Sequence, residues 1–122
     1  MDHKVNDINI YYSHSRTLYN TDLEQIERDF LSEYGSVFCP NRDIKQCENP
    51  SMACFKIDEC DVVVVSLDGD KITDGVFHEI KRAHRLNIPV GIIIEGLIIS
   101  VDSVKTLANK RIVLDPEFQI LL

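Results

Sequence analysis

The run DVVVVSL, Asp61 to Leu67, sets four valines in succession. Their β-branched side chains are stiff at χ1 and favour extended backbone. Along a strand successive side chains point to opposite faces, so four consecutive valines need apolar cover on both faces at once. That condition is met by an interior strand of a parallel sheet flanked by helices. A sheet with one wet face would leave half of these valines in water.

The rest of the chain supplies matching elements. INIYY, Ile8 to Tyr12, alternates and is β-branched or aromatic, which predicts a first strand. TDLE follows, with Thr21 as N-cap and Glu24 three residues on, a capping box. It opens a helix whose apolar stripe is expected to be Leu23, Ile26, Phe30 and Tyr34, stopped by Gly35. SVFC, Ser36 to Cys39, reads as a short strand, CPNRDIKQCENP as a polar loop, and 51–59 as a short helix leading into the valine strand. After the turn-forming DGDKITDG comes a helix over 75–87 with Val76, Ile80, Ala83 and Leu86 inward. PVGIII is a fourth strand, SVDSVKTLAN a helix, and RIVL, Arg111 to Leu114, a fifth strand. Strands joined by helical crossovers predict an α/β fold: one domain over 1–122, a single open parallel sheet of about five strands with helices on both faces, Rossmann- or flavodoxin-like.

Composition narrows the function. Of the 122 residues 44% are hydrophobic and 27% charged, ordinary for a globular domain and too apolar for a disordered one. The net charge of −7 argues against long nucleic acid, which is held mainly by Lys and Arg on phosphates. The longest apolar stretch, Ile88 to Val101, is broken by Pro89, Gly91, Glu95 and Gly96, so no membrane span is expected. The N-terminus has no charged-then-apolar leader, and a cytoplasmic location is expected. Cys39, Cys47, Cys54 and Cys60 include no C-x-x-C pair, and reduced thiols are expected, with Cys60 buried. No two of His14, His78 and His84 stand four apart, so no metal site and no cofactor is expected.

In open α/β sheets ligands bind beyond the carboxyl ends of the strands. Two polar segments reach that edge: SHSR (Ser13, His14, Ser15, Arg16) and the loop from Asp68 to Thr73. Both precede helix N-termini, whose free N–H groups favour anions. Glu79 follows early on the second of these helices and can point into the crevice between them. From the residues alone Glu79 also reads as a helix carboxylate paired with Lys81 or Arg82. Thr73 and Asp74 read as N-caps, Ser13 to Arg16 as turn chemistry, Tyr11 as core packing, and Asp61 as a structural hydrogen-bonding residue.

The succession IYYSHSR, VFCPN, CDVVVVSLDGD, TDGVFHEIKRAH and PVGIII, from about Ile8 to Ile94, resembles the nucleoside 2-deoxyribosyltransferase family. The similarity is nearest to the branch that hydrolyses 2′-deoxynucleoside 5′-monophosphates at the N-glycosidic bond. The resemblance implies that Glu79 is the catalytic nucleophile, attacking C1′ to form a glycosyl ester that water or an acceptor base resolves. It implies that Tyr11 holds this glutamate, and that Ser13, His14, Ser15 and Arg16, with Asp68, Thr73, Asp74 and Gly75, contact a small-molecule nucleotide. Thr73 matches a serine that touches the 5′-phosphate of a neighbouring subunit's ligand, so a homodimer or larger homo-oligomer is implied. The aliphatic stretch from Ile92 to Val101 supports that independently, since it exceeds what one strand can cover.

The chain departs from the family at one place. The aspartate that helps protonate or orient the leaving base corresponds to Ala53, and Asp58 lies on another face of the predicted helix. Loss of a general acid typically forfeits about 10²- to 10⁴-fold in rate. A module that binds a nucleotide or nucleotide-derived signal without cleaving it is therefore the alternative expectation. A second alternative comes from INIYYSHS, which is similar to the first strand of TIR domains, interaction modules that in some members cleave NAD through a glutamate.

Overall fold

The computed structural model describes residues 8–43, 56–69, 72–94 and 96–100. They form, in chain order, β1 (Asn9–Ser13), α1 (Asp22–Ser32), β2 (Ser36–Phe38), α2 (Pro40–Asp43), β3 (Val62–Ser66), α3 (Asp74–Arg85), β4 (Val90–Ile94) and β5 (Leu97–Ser100). The sheet order is β2-β1-β3-β4-β5. The first four strands are parallel, with Tyr11 opposite Val63 and Val65 opposite Ile92. β5 instead turns back on β4 as an antiparallel strand through Gly96, whose φ is +77°. The expected all-parallel sheet is thus a mixed one, and the aliphatic stretch after Ile92 supplies two paired strands rather than one overloaded strand. The expected helix from Ser100 to Asn109 and the strand at 111–114 lie outside the described residues, as do Cys47, Cys54 and Ala53.

The valine strand is covered on both faces. On one side Tyr11, Val63, Val65 and Ile92 pack against Val76, Phe77, Ile80 and Ala83 of α3. On the other, Ile10, Tyr12 and Val64 pack with Leu31 of α1 and Cys39. Burying a valine contributes about 1.5–3 kcal/mol, which makes β3 the centre of both cores. Gly35 is required where the chain enters β2: a Cβ there would come within 2.4 Å of the Ile8 carbonyl oxygen. Among the described residues no helix is long and apolar enough to cross a membrane.

The α3 stripe is as expected at Val76, Ile80 and Ala83, whereas Leu86, at the C-cap, is exposed. α1 is a correction. Its N-cap is the expected one, the Thr21 hydroxyl accepting from the Glu24 N–H at 3.2 Å, but the reciprocal half of the box is not made: the Glu24 carboxylate accepts from the Asn20 N–H, and the Thr21 N–H goes to the Leu18 carbonyl. The inward face, however, is Glu24, Glu27 and Leu31. Leu23, Ile26 and Tyr34 stand 45%, 62% and 47% exposed, and Phe30 is only partly buried. The physical reason is on the facing strand and loop, where Tyr12, His14 and Arg42 offer polar partners that an apolar stripe would leave unsatisfied. Cys60 is half-buried rather than buried, and the part of the predicted 51–59 helix that is described is a single 3₁₀ turn over 56–59.

Candidate functional site

β1 alternates, and the alternation sorts its polar residues between two sites. Tyr11 and Ser13 face α3; Tyr12 and His14 face α1. The 2-1-3-4 order puts a topological switch point between β1 and β3, the place where open α/β sheets bind ligands beyond the carboxyl ends of their strands. α3 starts from that edge after β3, and Glu79 lies on its second turn.

Glu79 is held there by two hydroxyls from β1. Tyr11 Oη donates to Oε2, and Ser13 Oγ donates to Oε1 at 2.6 Å. Each carboxylate oxygen therefore has its own donor, which fixes the plane of the group. Burial pushes the Glu79 carboxyl above its ordinary value, and the hydrogen bonds from Ser13 and Tyr11 oppose this by favouring the charged form. Arg82 makes a bidentate pair with Asp58, at 2.7 and 2.9 Å, and the Lys81 ammonium lies 4.9 Å above the Phe77 ring. Asp58 is thereby committed to the outer side of α3.

The remaining predicted residues divide. Ser15 is buried, its Oγ 2.6 Å from Thr17 Oγ1, and precedes the 3₁₀ turn Arg16–Leu18 without capping it by a side-chain bond. Arg16 is exposed and has no ion-pair partner among the described residues. Asp68 is half-buried just past β3, ahead of Gly69, whose φ is +64°. Thr73 is the N-cap of α3 by backbone conformation, yet its hydroxyl makes no capping hydrogen bond. Asp74 and Gly75 are exposed, and a Cβ at Gly75 would meet nothing within 4 Å. Thus a hydroxyl, open backbone and the first N–H groups of a 12-residue helix, about 18 Å long, share this edge with Glu79. Asp61 is structural as expected, accepting from the Asn9 N–H at 2.7 Å.

His14 goes elsewhere. Its Nε2 lies 2.6 Å from Glu24 Oε2 and its Nδ1 3.2 Å from the Tyr12 carbonyl oxygen. Glu24 Oε1 accepts from Arg42 Nε at 2.8 Å and from the Asn20 N–H at 3.1 Å. Burial alone would raise the Glu24 carboxyl, but the hydrogen bonds from His14, Arg42 and Asn20 bring it down to about 2. Beside it Tyr12 Oη donates to Glu27 at 2.5 Å, and burial, then Glu27, pushes the phenol above its ordinary range. Burial and the charge of Glu24 push the Cys39 thiol up to about 12.

Sequence reasoning did not single out Glu24 beyond its capping role, nor Glu27, Cys39, Arg42 or Tyr19. The Tyr19 ring meets His14 edge-on at 5.3 Å, and its phenol is raised by burial first and then by the charge of Glu79, with Arg16 opposing. Tyr19 therefore stands within electrostatic reach of both clusters. A signal for the carboxylates was present: Glu24, Glu27 and Leu31 share one helical face. A groove of about 400 Å³ beside β2 and the 56–59 turn contains Lys56, Glu59 and Cys60 but not Glu79.

Fold and site together define an open-sheet α/β protein with a hydroxyl-clamped glutamate at its switch point. Neither a protein-family model nor a curated protein sequence matches the chain. A solved structure described as a conserved protein from Enterococcus faecalis V583 is similar in fold: TM-score 0.57, 20% identity, covering 93% of this chain and 85% of that one.

Proposed function

We propose that the protein cleaves the N-glycosidic bond of a nucleoside 5′-monophosphate, with Glu79 as nucleophile and water or an acceptor base taking the sugar. The observation that carries this reading is the clamp on Glu79: two hydroxyls, one per carboxylate oxygen, beside the β1/β3 switch point. A carboxylate fixed in this way can approach C1′ from the face opposite the base. As the C1′–O bond forms, the C1′–N bond breaks and its electron pair leaves with the base. Burial raises the energy of the anion and so its readiness to attack, while the hydrogen bonds from Tyr11 and Ser13 favour the charged form and orient it. Arg16, the Thr73 hydroxyl and the N–H groups at Asp74 and Gly75 are the donors we assign to the 5′-phosphate.

A second reading is binding without cleavage, favoured by the alanine at position 53, where the resembled family carries the aspartate that serves the leaving base. Incubation with a panel of deoxynucleoside monophosphates separates the two. Free base released by the unmodified protein and absent with Glu79→Ala supports cleavage. An intact nucleotide recovered from the purified protein, or tight calorimetric binding without turnover, supports the binding module, and no heat with any nucleotide excludes both. We further propose a cytoplasmic homo-oligomer. The exposed Leu23 and Ile26 on α1, with the exposed Tyr34 just after it, form an apolar strip that a second copy would cover.

A further inference from the structure

The second cluster on β1 has a composition that an ion pair does not need. Three donors of different chemistry reach one buried point from three elements: His14 just after β1, Glu24 on α1, and Cys39 just after β2. One ligand-type atom from each lies within 4.8 Å of the others. All three residues are buried, Glu24 and Cys39 completely. We propose that His14 Nε2, Glu24 Oε2 and Cys39 Sγ form a site for a divalent cation of the zinc class, with one further position left for water.

The distances support this reading. The donor triangle has edges of 2.6 Å (Nε2 to Oε2), 3.9 Å (Sγ to Oε2) and 4.0 Å (Sγ to Nε2). A tetrahedral ion with bonds of about 2.0–2.1 Å to N and O and about 2.3 Å to S needs edges of roughly 3.3, 3.6 and 3.6 Å. The perimeter hardly changes. The ion asks the imidazole and carboxylate to part by about 0.7 Å while the sulfur closes by about 0.3 to 0.4 Å, movements within the reach of small side-chain rotations.

Each donor also has an outer partner of the kind that orients metal ligands. The second nitrogen of His14 faces the Tyr12 carbonyl, and the ring is stacked on Tyr12 with centroids 4.1 Å apart and planes 6° from parallel. That contact turns Nε2 toward the cluster. The other oxygen of Glu24 is occupied by Arg42 and Asn20, which leaves Oε2 facing inward. Cys39 is anchored by its own N–H, donated to the Asp43 carboxylate at 2.6 Å; its thiol donates to Asn41 Oδ1 at 3.2 Å, a bond given up with the proton when the sulfur ligates. Imidazole, carboxylate and thiolate together select a borderline-soft ion over magnesium or calcium, which take oxygen ligands. Because the thiol must lose its proton to ligate, binding releases protons to solvent and tightens as pH rises.

The experiment uses the full chain, reduced and stripped with a chelator, titrated with Co²⁺ as a spectroscopic stand-in for zinc. The expected result is one Co²⁺ per chain, with visible d–d bands of four-coordinate intensity and a near-ultraviolet thiolate-to-cobalt band, both bleached by stoichiometric Zn²⁺. Cys39→Ser removes the thiolate band and weakens binding by at least about 100-fold, whereas the triple variant Cys47→Ser, Cys54→Ser, Cys60→Ser keeps both. No band in the unmodified protein overturns the proposal, and so does a thiolate band that survives Cys39→Ser or disappears in the triple variant. X-ray absorption at the zinc edge of the unmodified protein needs no variant: one sulfur among nitrogen and oxygen neighbours agrees with the site, and none or several sulfurs refutes it.

Discussion

Replacing Tyr11 by phenylalanine removes one of the two hydroxyls on Glu79 and retains the ring that packs 5.5 Å from Phe38. A hydrogen bond to a charged group is worth about 1.5–3 kcal/mol, and one to a neutral group about 1 kcal/mol. Because the lost bond is stronger to the charged form than to the neutral one, its removal raises the Glu79 carboxyl further. The sign follows from linkage. The folded-state pKa of Glu79 already lies above its unfolded value, so its contribution to stability is complete below the unfolded pKa and is lost as pH rises through the folded one. In Tyr11→Phe that loss continues to a higher pH. The stability gap between the unmodified protein and the variant should therefore be near 1 kcal/mol in acid and widen to about 1.5–3 kcal/mol at neutral pH. Urea unfolding across a series of buffers measures it. A gap that stays constant from acid to neutral pH would falsify the assignment of Tyr11 as a donor to an ionised Glu79.

Glu79→Gln should abolish turnover while preserving nucleotide binding, and should leave thermal stability at neutral pH equal or higher, because it removes an anion that burial disfavours. A drop in melting temperature would count against that account. Arg16→Ala should weaken monophosphates by more than about tenfold and bare nucleosides hardly at all, as calorimetry on both ligand series would read. Glu24→Gln, which leaves His14 and Arg42 without their shared anion, should destabilise the fold by about 3–5 kcal/mol in denaturant titrations. Ile26→Glu, at a position 62% exposed, should leave the fold intact and shift sedimentation toward a single 14.0 kDa species; an unchanged oligomer would move the interface away from α1.

The strands were legible because their signal is local. Four valines in a row call for an interior strand whatever surrounds them, whereas the order of the strands in the sheet came only from the structure. The position of Glu79 was legible as well, since a helix leaving the valine strand must begin at the carboxyl edge. The orientation of α1 was not legible. Its apolar residues have a helical period, but period names a face and not the direction in which it points. Here the inward direction is decided by Tyr12, His14 and Arg42, residues up to 18 positions from the glutamates they satisfy. The same separation hides the His14, Glu24 and Cys39 cluster from any spacing rule. The reversal at β5 depends on a glycine at positive φ, and one glycine in an aliphatic stretch does not distinguish a hairpin from a kink.

Four consecutive residues, Tyr11 to His14, serve two centres on opposite sides of one strand, and this limits how the chain can vary. Deleting or inserting a single residue upstream within β1 exchanges the faces. The phenol and serine meant for Glu79 would then meet Glu24 and Glu27, and the histidine would meet α3. Neither centre can be lost or re-sited by a length change in β1 without disturbing the other. Among natural variants this segment should therefore drift by substitution alone, and a replacement on one face can proceed independently of the other only while the count of residues between them is kept.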